Sequence, residues 1–347
     1  YLDKKIKLKT FSYIAEDEKI SEETWIDSLN EFLSAEPFKI SVNAKEMFED
    51  LEKLIACQGE PFSSSSIYAQ YRVAKLINFS GIKVTLEGQG ADELLAGYLG
   101  YPGQRLFSII EDGGIIEAHK FAKNWGKLRN ESNFKAWFYL AKFIMPNIIY
   151  DISRYLLGRN FKPSWLNTKY LKKRNIVFKE KRYKPSIQFK GQRVKEALNH
   201  ALSSRGLQSL LRHGDRNSMA FSIENRVPFL TIPIVEFLNT LPENFLISND
   251  GLTKNVFRES MRGIMPDKHI DRIDKIGFTT PEKEWLVSQQ ETIIEFIKNS
   301  PNIPFIKNDR IVKELKKCFY GRKTIDGQVW RWINYIKWYR IMKVTLN

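Results

Sequence analysis

Over residues 6–98 the hydrophobic period switches repeatedly between two and about 3.6, and few folds accommodate that switching. "IKLKTFSYI" (6–14) begins with strict alternation and predicts a strand. "SEETWIDSLNEFLSA" (21–35) predicts a helix, with Ser21 and Thr24 ahead of acidic first-turn residues. "FKISV" (38–42) reads as a second strand. Two helices come next, the later one ending in "SIYAQYRVAKLINF" (66–79), and then the strand "IKVTL" (82–86). Strand, helix, strand, helices, strand is the rhythm of a parallel sheet with helices on its faces.

After Tyr98 the strand signals thin out. "LQSLLRHGDRNSMAFS" (207–222) and "TKNVFRESMRGIM" (253–265) are amphipathic, and "VWRWINYIKWYRIM" (329–342) puts Trp332, Ile333, Ile336 and Tyr339 on one face. That aromatic stripe is expected in a core. The expectation is therefore an α/β part over about residues 1–100 and a mostly helical part over 101–347.

Composition removes several function classes. The two cysteines, Cys57 and Cys318, supply neither a disulfide framework nor a metal site, and fit a reducing, cytoplasmic setting. The four histidines, His119, His200, His213 and His269, form no zinc-ligand spacing. The first residues carry no signal-peptide pattern, so no secretory leader is expected from them. The most apolar stretch, 136–158, is interrupted by Lys142, Asp151 and Arg154, so a buried helix ended or kinked at Pro146 is expected there, not a membrane span. The formal charge of +15 is local: residues 169–195 hold 11 basic residues and one acid, +10 of the total. A solvated loop, an anion-attracting lid and a polyanion contact all stay open for that run.

The densest chemistry is "LEGQGADELLAGY" (86–98), at the end of the third strand. Ligands of open α/β sheets bind at the carboxyl ends of strands. Gly88 and Gly90 let backbone approach a ligand. A helix expected to begin near Ala91–Asp92 and continue through "LLAGYLG" would present amides to an anion. Asp92 and Glu93 at that point could share a hard cation with phosphate. The same residues also suit a plain turn and a dipole-compatible helix start, so spacing alone leaves two readings.

The segment resembles the "SGxGxDExxxGY" element of the asparagine synthetase family. Three more stretches agree in order: "GEPFSSSSIYAQY" (59–71), "LLRHGDRNSMAFSIENRVPFL" (210–230) and "DKIGFTTPEKEWL" (274–286). The resemblance implies an α/β fold of pyrophosphate-loop ATPase type (adenine nucleotide alpha hydrolase-like), with a mostly helical C-terminal half. It implies ATP and Mg2+, adenylation of the side-chain carboxylate of aspartate, and transfer of ammonia from glutamine to give asparagine, AMP and pyrophosphate. Asp92 matches the magnesium-binding aspartate and Lys275 the catalytic lysine. Glu87, Gly88 and Gln89 match positions around AMP and the acyl group, with Gln89 at the catalytic position. Ser12 and Tyr13 would meet adenine through their backbone. Asp215, Arg216, Glu224 and Arg226 form either a salt-bridged corner or a wall of the substrate pocket.

Three departures qualify what the resemblance implies. The family's "SGGxDS" loop does not occur in the sequence. It is expected upstream of Tyr1 together with the glutaminase domain, and the chain alone is expected not to turn over ATP. Gln89 stands where the best-known asparagine synthetases carry glutamate, and an amide cannot act as a general base. Thr231 follows "PFL" where aspartate is usual. A related amidotransferase acting on a sugar acid or a peptide, and a non-catalytic remnant, therefore remain as alternatives. Expected partners are small molecules and the glutaminase domain, with no membrane and no nucleic acid. Oligomeric state is open, a homodimer included.

Overall fold

A computed structural model describes residues 7–156, 163–176, 184–204, 206–274 and 276–345. The first part runs β1 (Lys9–Tyr13), α1 (Glu23–Leu33), β2 (Glu36–Ile40), α2 (Ala44–Gln58), α3 (Ser66–Phe79) and β3 (Val84–Leu86). Short α4 (Ala91–Leu94) leads into α5 (Tyr101–Glu111), α6 (Ile115–Arg129), α7 (Phe134–Ile144), α8 (Asn147–Leu156) and α9 (Thr168–Lys173). Next come α10 (Arg193–Ser203), α11 (Leu207–Met219), β4 (Glu224–Arg226), α12 (Ile232–Thr240), α13 (Glu243–Leu246), α14 (Asn255–Ser260) and α15 (Asp267–Ile270). The chain closes with α16 (Glu282–Ser288), α17 (Gln290–Lys298), α18 (Asn308–Phe319) and α19 (Gly327–Ile341).

The strands are parallel, as their helical crossovers require, but they do not form the one sheet read from the sequence. Among the described residues β1 pairs with β2, Thr10 opposite Pro37, and β3 pairs with β4, Thr85 opposite Asn225. β4 escaped detection because "ENR" is polar and three residues long. Its extended form comes from pairing with β3, and Glu87 N–H continues the ladder onto Arg226 O at 2.9 Å.

Two apolar cores hold the elements. The first joins β1, α2 and α3 to the C-terminal helices, with Trp330, Tyr68, Met47, Leu51 and Leu54 fully buried. The "GEPF" turn is locked into it from the far end of the sequence. Phe62 N–H donates to Asn334 Oδ1 (2.8 Å), Trp330 Nε1 donates to Phe62 O (3.2 Å), and Trp338 Nε1 donates to Gly59 O (3.0 Å). α2 starts in a capping box between Asn43 and Glu46 and stops at left-handed Gly59. The second core gathers α5, α6, α7 and α10 around Leu106, Phe121 and Trp125. It contains a buried ion network: Arg193 binds Glu111 (2.5 Å) and Glu196 (2.8 Å), with its guanidinium over the Phe107 ring.

Two expected helices come out differently. "LLAGYLG" is not helical, because α4 ends at Leu94 and Ala96 takes a left-handed φ of 55°. The stretch 136–158 does break at Pro146, but α8 is not buried: Ile148 and Leu156 are 74% and 77% exposed. Its apolar residues recur at helical spacing, yet that stripe faces outward. Both cysteines are free thiols. Among the described residues no helix is long and apolar enough to cross a membrane.

Candidate functional site

The turn after β3 places its predicted residues in two different surroundings. Glu87 and Gln89 line a cavity of about 210 Å³ with Gly214, Asp215 and Asn225, so α11 and β4 supply its opposite wall. Asn225 Nδ2 donates to Glu87 Oε1 at 2.9 Å, and Thr85 Oγ1 donates to Asn225 Oδ1. Glu87 keeps an exposed side chain, and partial desolvation at the cavity wall shifts its carboxyl upward, offset in part by the Asn225 donor. Gly90 takes φ 92°, and a Cβ there would lie 2.4 Å from Leu230 Cδ2. The "PFL" segment and the turn therefore fix each other. At Gly88 an added Cβ would touch nothing within 4 Å, which leaves open space beside the backbone.

Asp92 does not line this cavity; its Oδ1 pairs at 2.7 Å with Nζ of Lys254, a wall residue of a second one. Gly97 closes over this pair: a Cβ there would fall 1.9 Å from Asp92 Oδ1 and 2.6 Å from Lys254 Cε. Gly97 N–H reaches Asp92 O at 3.0 Å and Lys254 N–H reaches Leu95 O at 3.1 Å, so backbone bonds set the geometry. Lys254 itself is left-handed, φ 57°. Glu93 lines neither cavity; it is buried and accepts from Tyr98 Oη at 2.5 Å. Burial, then the Glu93 carboxylate, raises the Tyr98 phenol and keeps it a donor.

Gly97 and Lys254 line a cavity of about 310 Å³ whose other walls include Arg129, Phe257, Arg258, Arg272, Asp274 and Gly277. Lys275, the expected catalytic lysine, lies outside the described residues. The segment around it is tied down on both sides. Arg272 binds Glu22 and Asp274, each at 2.8 Å, and its hydrogen bond to Asp274 holds that carboxyl below its usual range. Downstream, Phe278 stacks on Tyr13 with ring centroids 6.2 Å apart. Ser65, inside the serine run, meets Thr280 Oγ1 at 2.6 Å and donates to Glu282 Oε2 at 2.8 Å.

Tyr13 is buried, which pushes its phenol up to about 12, with Glu16 adding to the effect. Its ring is committed to Phe278, and its neighbour Ser12 is half-buried on β1. The four charged residues of "DRNSMAFSIENR" do not form one corner. Asp215 lines the smaller cavity, whereas Arg216 donates to Gln58 O at 2.7 Å. Glu224 and Arg226 pair with each other at 2.7 Å on the exposed strand. Lys254 and Ser65 were missed in the sequence because one sits in an ordinary amphipathic stretch and the other in a serine run. Their signal is a tertiary contact.

Strand-end glycine turn, carboxylates and a cation-lined cavity define an α/β protein with a site suited to anionic ligands. The family model described as Asparagine synthase matches residues 2–340, and the chain belongs to that family. It is 24% identical over 355 residues to asparagine synthetase [glutamine-hydrolyzing] 1 of Bacillus subtilis, covering 96% of this chain and 52% of the relative. It is 23% identical to putative glutamine-hydrolyzing asparagine synthetases of Mycobacterium bovis and Mycobacterium tuberculosis, covering 96% of this chain and 51% of each. The chain thus spans about half the length of these curated relatives.

Proposed function

We propose that the chain is the synthetase part of a glutamine-dependent amidotransferase and that it activates the side-chain carboxylate of aspartate with ATP. The observation that carries this reading is the family match over residues 2–340, within which Gly88, Gln89 and Asp92 fall at the carboxyl end of a parallel strand. The names of the curated relatives support aspartate as acceptor.

In the proposed reaction the acceptor carboxylate attacks the α-phosphorus of ATP, pyrophosphate leaves, ammonia adds to the acyl carbon, and AMP departs. Negative charge builds in both steps and calls for fixed cations and donors. Asp92 and Lys254 would face the phosphates. Magnesium, when bound, supplies charge on the departing pyrophosphate. Asp92 fits that role as a single partly exposed carboxylate, since magnesium takes one or two protein carboxylates and completes its shell with phosphates and water. Among the described residues no group of three or more His, Cys, Asp or Glu could hold a metal alone. Lys275 is proposed as the cation at the reacting phosphate, carried by the segment that Arg272 and Ser65 brace.

Gln89 cannot take the proton that ammonia must lose, but its amide can orient ammonia or the acyl oxygen. Glu87 lines the same cavity, and its raised carboxyl suits it to accept that proton. Open space at Gly88 and the backbone of Ser12 and Tyr13 are assigned to the nucleotide, and Asp215 to the wall of the acyl pocket. Among the described residues the second edges of β1 and β3 have no strand partner, and Leu86 is 72% exposed. These features support a further parallel strand, the one expected to carry "SGGxDS", between the two pairs. The pyrophosphate-loop fold is proposed on that basis.

A second reading, an amidotransferase acting on a sugar acid or a peptide carboxylate, is favoured by Gln89. The test is AMP formation by the intact protein with ATP, magnesium, ammonium and a panel of acids. Aspartate-dependent AMP and asparagine are expected. AMP with another acid alone would transfer the assignment to the second reading, and no AMP with any acid would leave a non-catalytic remnant.

A further inference from the structure

A third cavity, of about 570 Å³, shares no wall residue with the other two among the described residues. Five cations line it: Arg310, Lys313, Lys316, Lys317 and Arg322. The first four belong to α18, whose opposite face is buried through Ile311, Val312, Leu315 and Cys318. Glu314, the one carboxylate among the described wall residues, is already bound by Lys317 (2.8 Å) and Lys323 (3.1 Å). The Lys317 bond holds that carboxyl below its usual range. Arg310 has a loose contact with Asp309 at 3.7 Å. The side chains of Lys313, Lys316 and Arg322 are exposed and make no hydrogen bond or ion pair among the described residues.

Helix formation alone does not account for this cluster. Like charges three and four residues apart destabilise a helix. The dipole favours Lys316 and Lys317 in the last turn, but it disfavours Arg310 in the first and does nothing for Lys313 between them. Backbone bonds set the cavity's outline. Left-handed Gly321 turns the chain so that Arg322 N–H donates to Lys317 O at 2.8 Å, which places Arg322 at the end of α18. Ser164 enters from a segment strapped to the residues before α18: Lys307 N–H donates to Trp165 O and Asn167 N–H to Phe305 O, each at 2.8 Å. α9 starts four residues after Ser164, so the basic run 169–195 begins close to this cavity, with Lys169, Lys172 and Lys173 exposed. Tyr320 in the wall is 67% exposed, and its ring meets no other ring among the described residues.

We infer that this cavity binds a compact oligophosphate, a short run of linked phosphates, apart from the candidate reaction site. The inference does not rest on the proposed reaction. Lysines meet phosphate as point charges and Arg322 as a fork, so the set matches several adjacent phosphate groups. The cavity's volume lies within the range of about 300–1,000 Å³ for small-ligand pockets. Its cations converge on one concavity, whereas a nucleic-acid strand is tracked by a groove with successive stacking rings. Two sources carry the oligophosphate chemistry, a nucleotide and an inorganic chain. Tyr320 offers a ring on which only the base of a nucleotide can stack.

The test is calorimetric titration with inorganic tripolyphosphate, citrate, a nucleoside triphosphate and single-stranded oligothymidylates of increasing length, at about 50 mM salt to limit screening. The proteins are wild type, Lys313→Gln/Lys316→Gln, Tyr320→Ala and a control, Lys120→Gln/Lys123→Gln, which removes the same charge from exposed positions on α6. Folding of the variants is checked by circular dichroism and melting. Wild type should bind tripolyphosphate at least about tenfold more tightly than citrate. Lys313→Gln/Lys316→Gln should weaken tripolyphosphate at least about tenfold, and the control less than about twofold. Tyr320→Ala separates the two sources. Weaker binding of the nucleoside triphosphate with tripolyphosphate unchanged supports a nucleotide, and no change in either supports an inorganic chain. No tripolyphosphate binding by wild type at about 1 mM would overturn the inference. So would citrate binding of equal strength, or equal losses in the control, since either reduces the cavity to general positive charge. Oligothymidylate affinity that exceeds tripolyphosphate and rises with length would also overturn it, in favour of a nucleic-acid surface.

Discussion

Replacing Ser65 with alanine should loosen the 278–282 segment from the start of α3. Ser65 is fully buried. Its hydroxyl has one proton, which goes to Glu282 Oε2 at 2.8 Å, so the 2.6 Å contact with Thr280 is donated by Thr280. Its backbone N–H reaches the same carboxylate oxygen at 3.0 Å and survives the change. The variant loses one charge-assisted bond, about 1.5–3 kcal/mol, and leaves the nearly buried Thr280 hydroxyl without its acceptor, about 1 kcal/mol. A total of about 2.5–4 kcal/mol is expected, read as a lower urea midpoint at constant slope. Trp285 is buried three residues beyond Glu282 and serves as a local fluorescence probe. In a double-mutant cycle with Glu282→Gln, the coupling should be about 1–2 kcal/mol. A single-mutant loss below about 0.5 kcal/mol, or strict additivity, would refute the argument that this contact holds the segment.

Arg193→Met removes the cation from two carboxylates packed in the second core and should cost about 3–5 kcal/mol in urea unfolding; a loss under about 1 kcal/mol would show that the network is dispensable. Burial pushes His213 from the usual 6.5 down to about 4, with Arg212 adding to the effect; its Nδ1 meets Gln58 Oε1 at 2.7 Å. The unfolded chain therefore binds this proton first as pH falls. His213 stability is complete above about 6.5 and declines toward 4, by at most about 1.4 kcal/mol per pH unit. His213→Gln should flatten that dependence between pH 6.5 and 5, and an unchanged slope would place its cause elsewhere. Gly97→Ala puts a methyl into the Asp92–Lys254 pair and should reduce AMP formation by the intact protein at least about a hundredfold. Activity within a factor of about three would mean the pair does not need its observed geometry.

The sequence made the first part of the fold legible because each element there carries its own period. β1, α1, β2, α2, α3 and β3 appear in the order read. β4 could not be read, since Glu224–Arg226 is extended only through its pairing with β3. The outward stripe of α8 misled for a related reason: Ile148, Ile149 and Ile152 have core spacing, but spacing does not say which face finds a neighbour. At the site, "LEGQGADELLAGY" announced a strand-end turn through its glycines and acids. That Glu87 and Gln89 share a cavity with Asp215 while Asp92 pairs with Lys254 was invisible, because Asp215 and Lys254 arrive from 120 or more residues beyond Asp92. Ala96 shows the limit of local propensity: a good helix former is left-handed there because the turn closes Gly97 over Asp92.

The most direct test of the central claim is to follow the oxygen. Acceptor acid labelled with 18O in its side-chain carboxylate, incubated with the intact protein, ATP, magnesium and ammonium, should deliver one 18O to AMP as the amide forms. Label appearing in inorganic phosphate with ADP as the nucleotide product would contradict adenylation at this site.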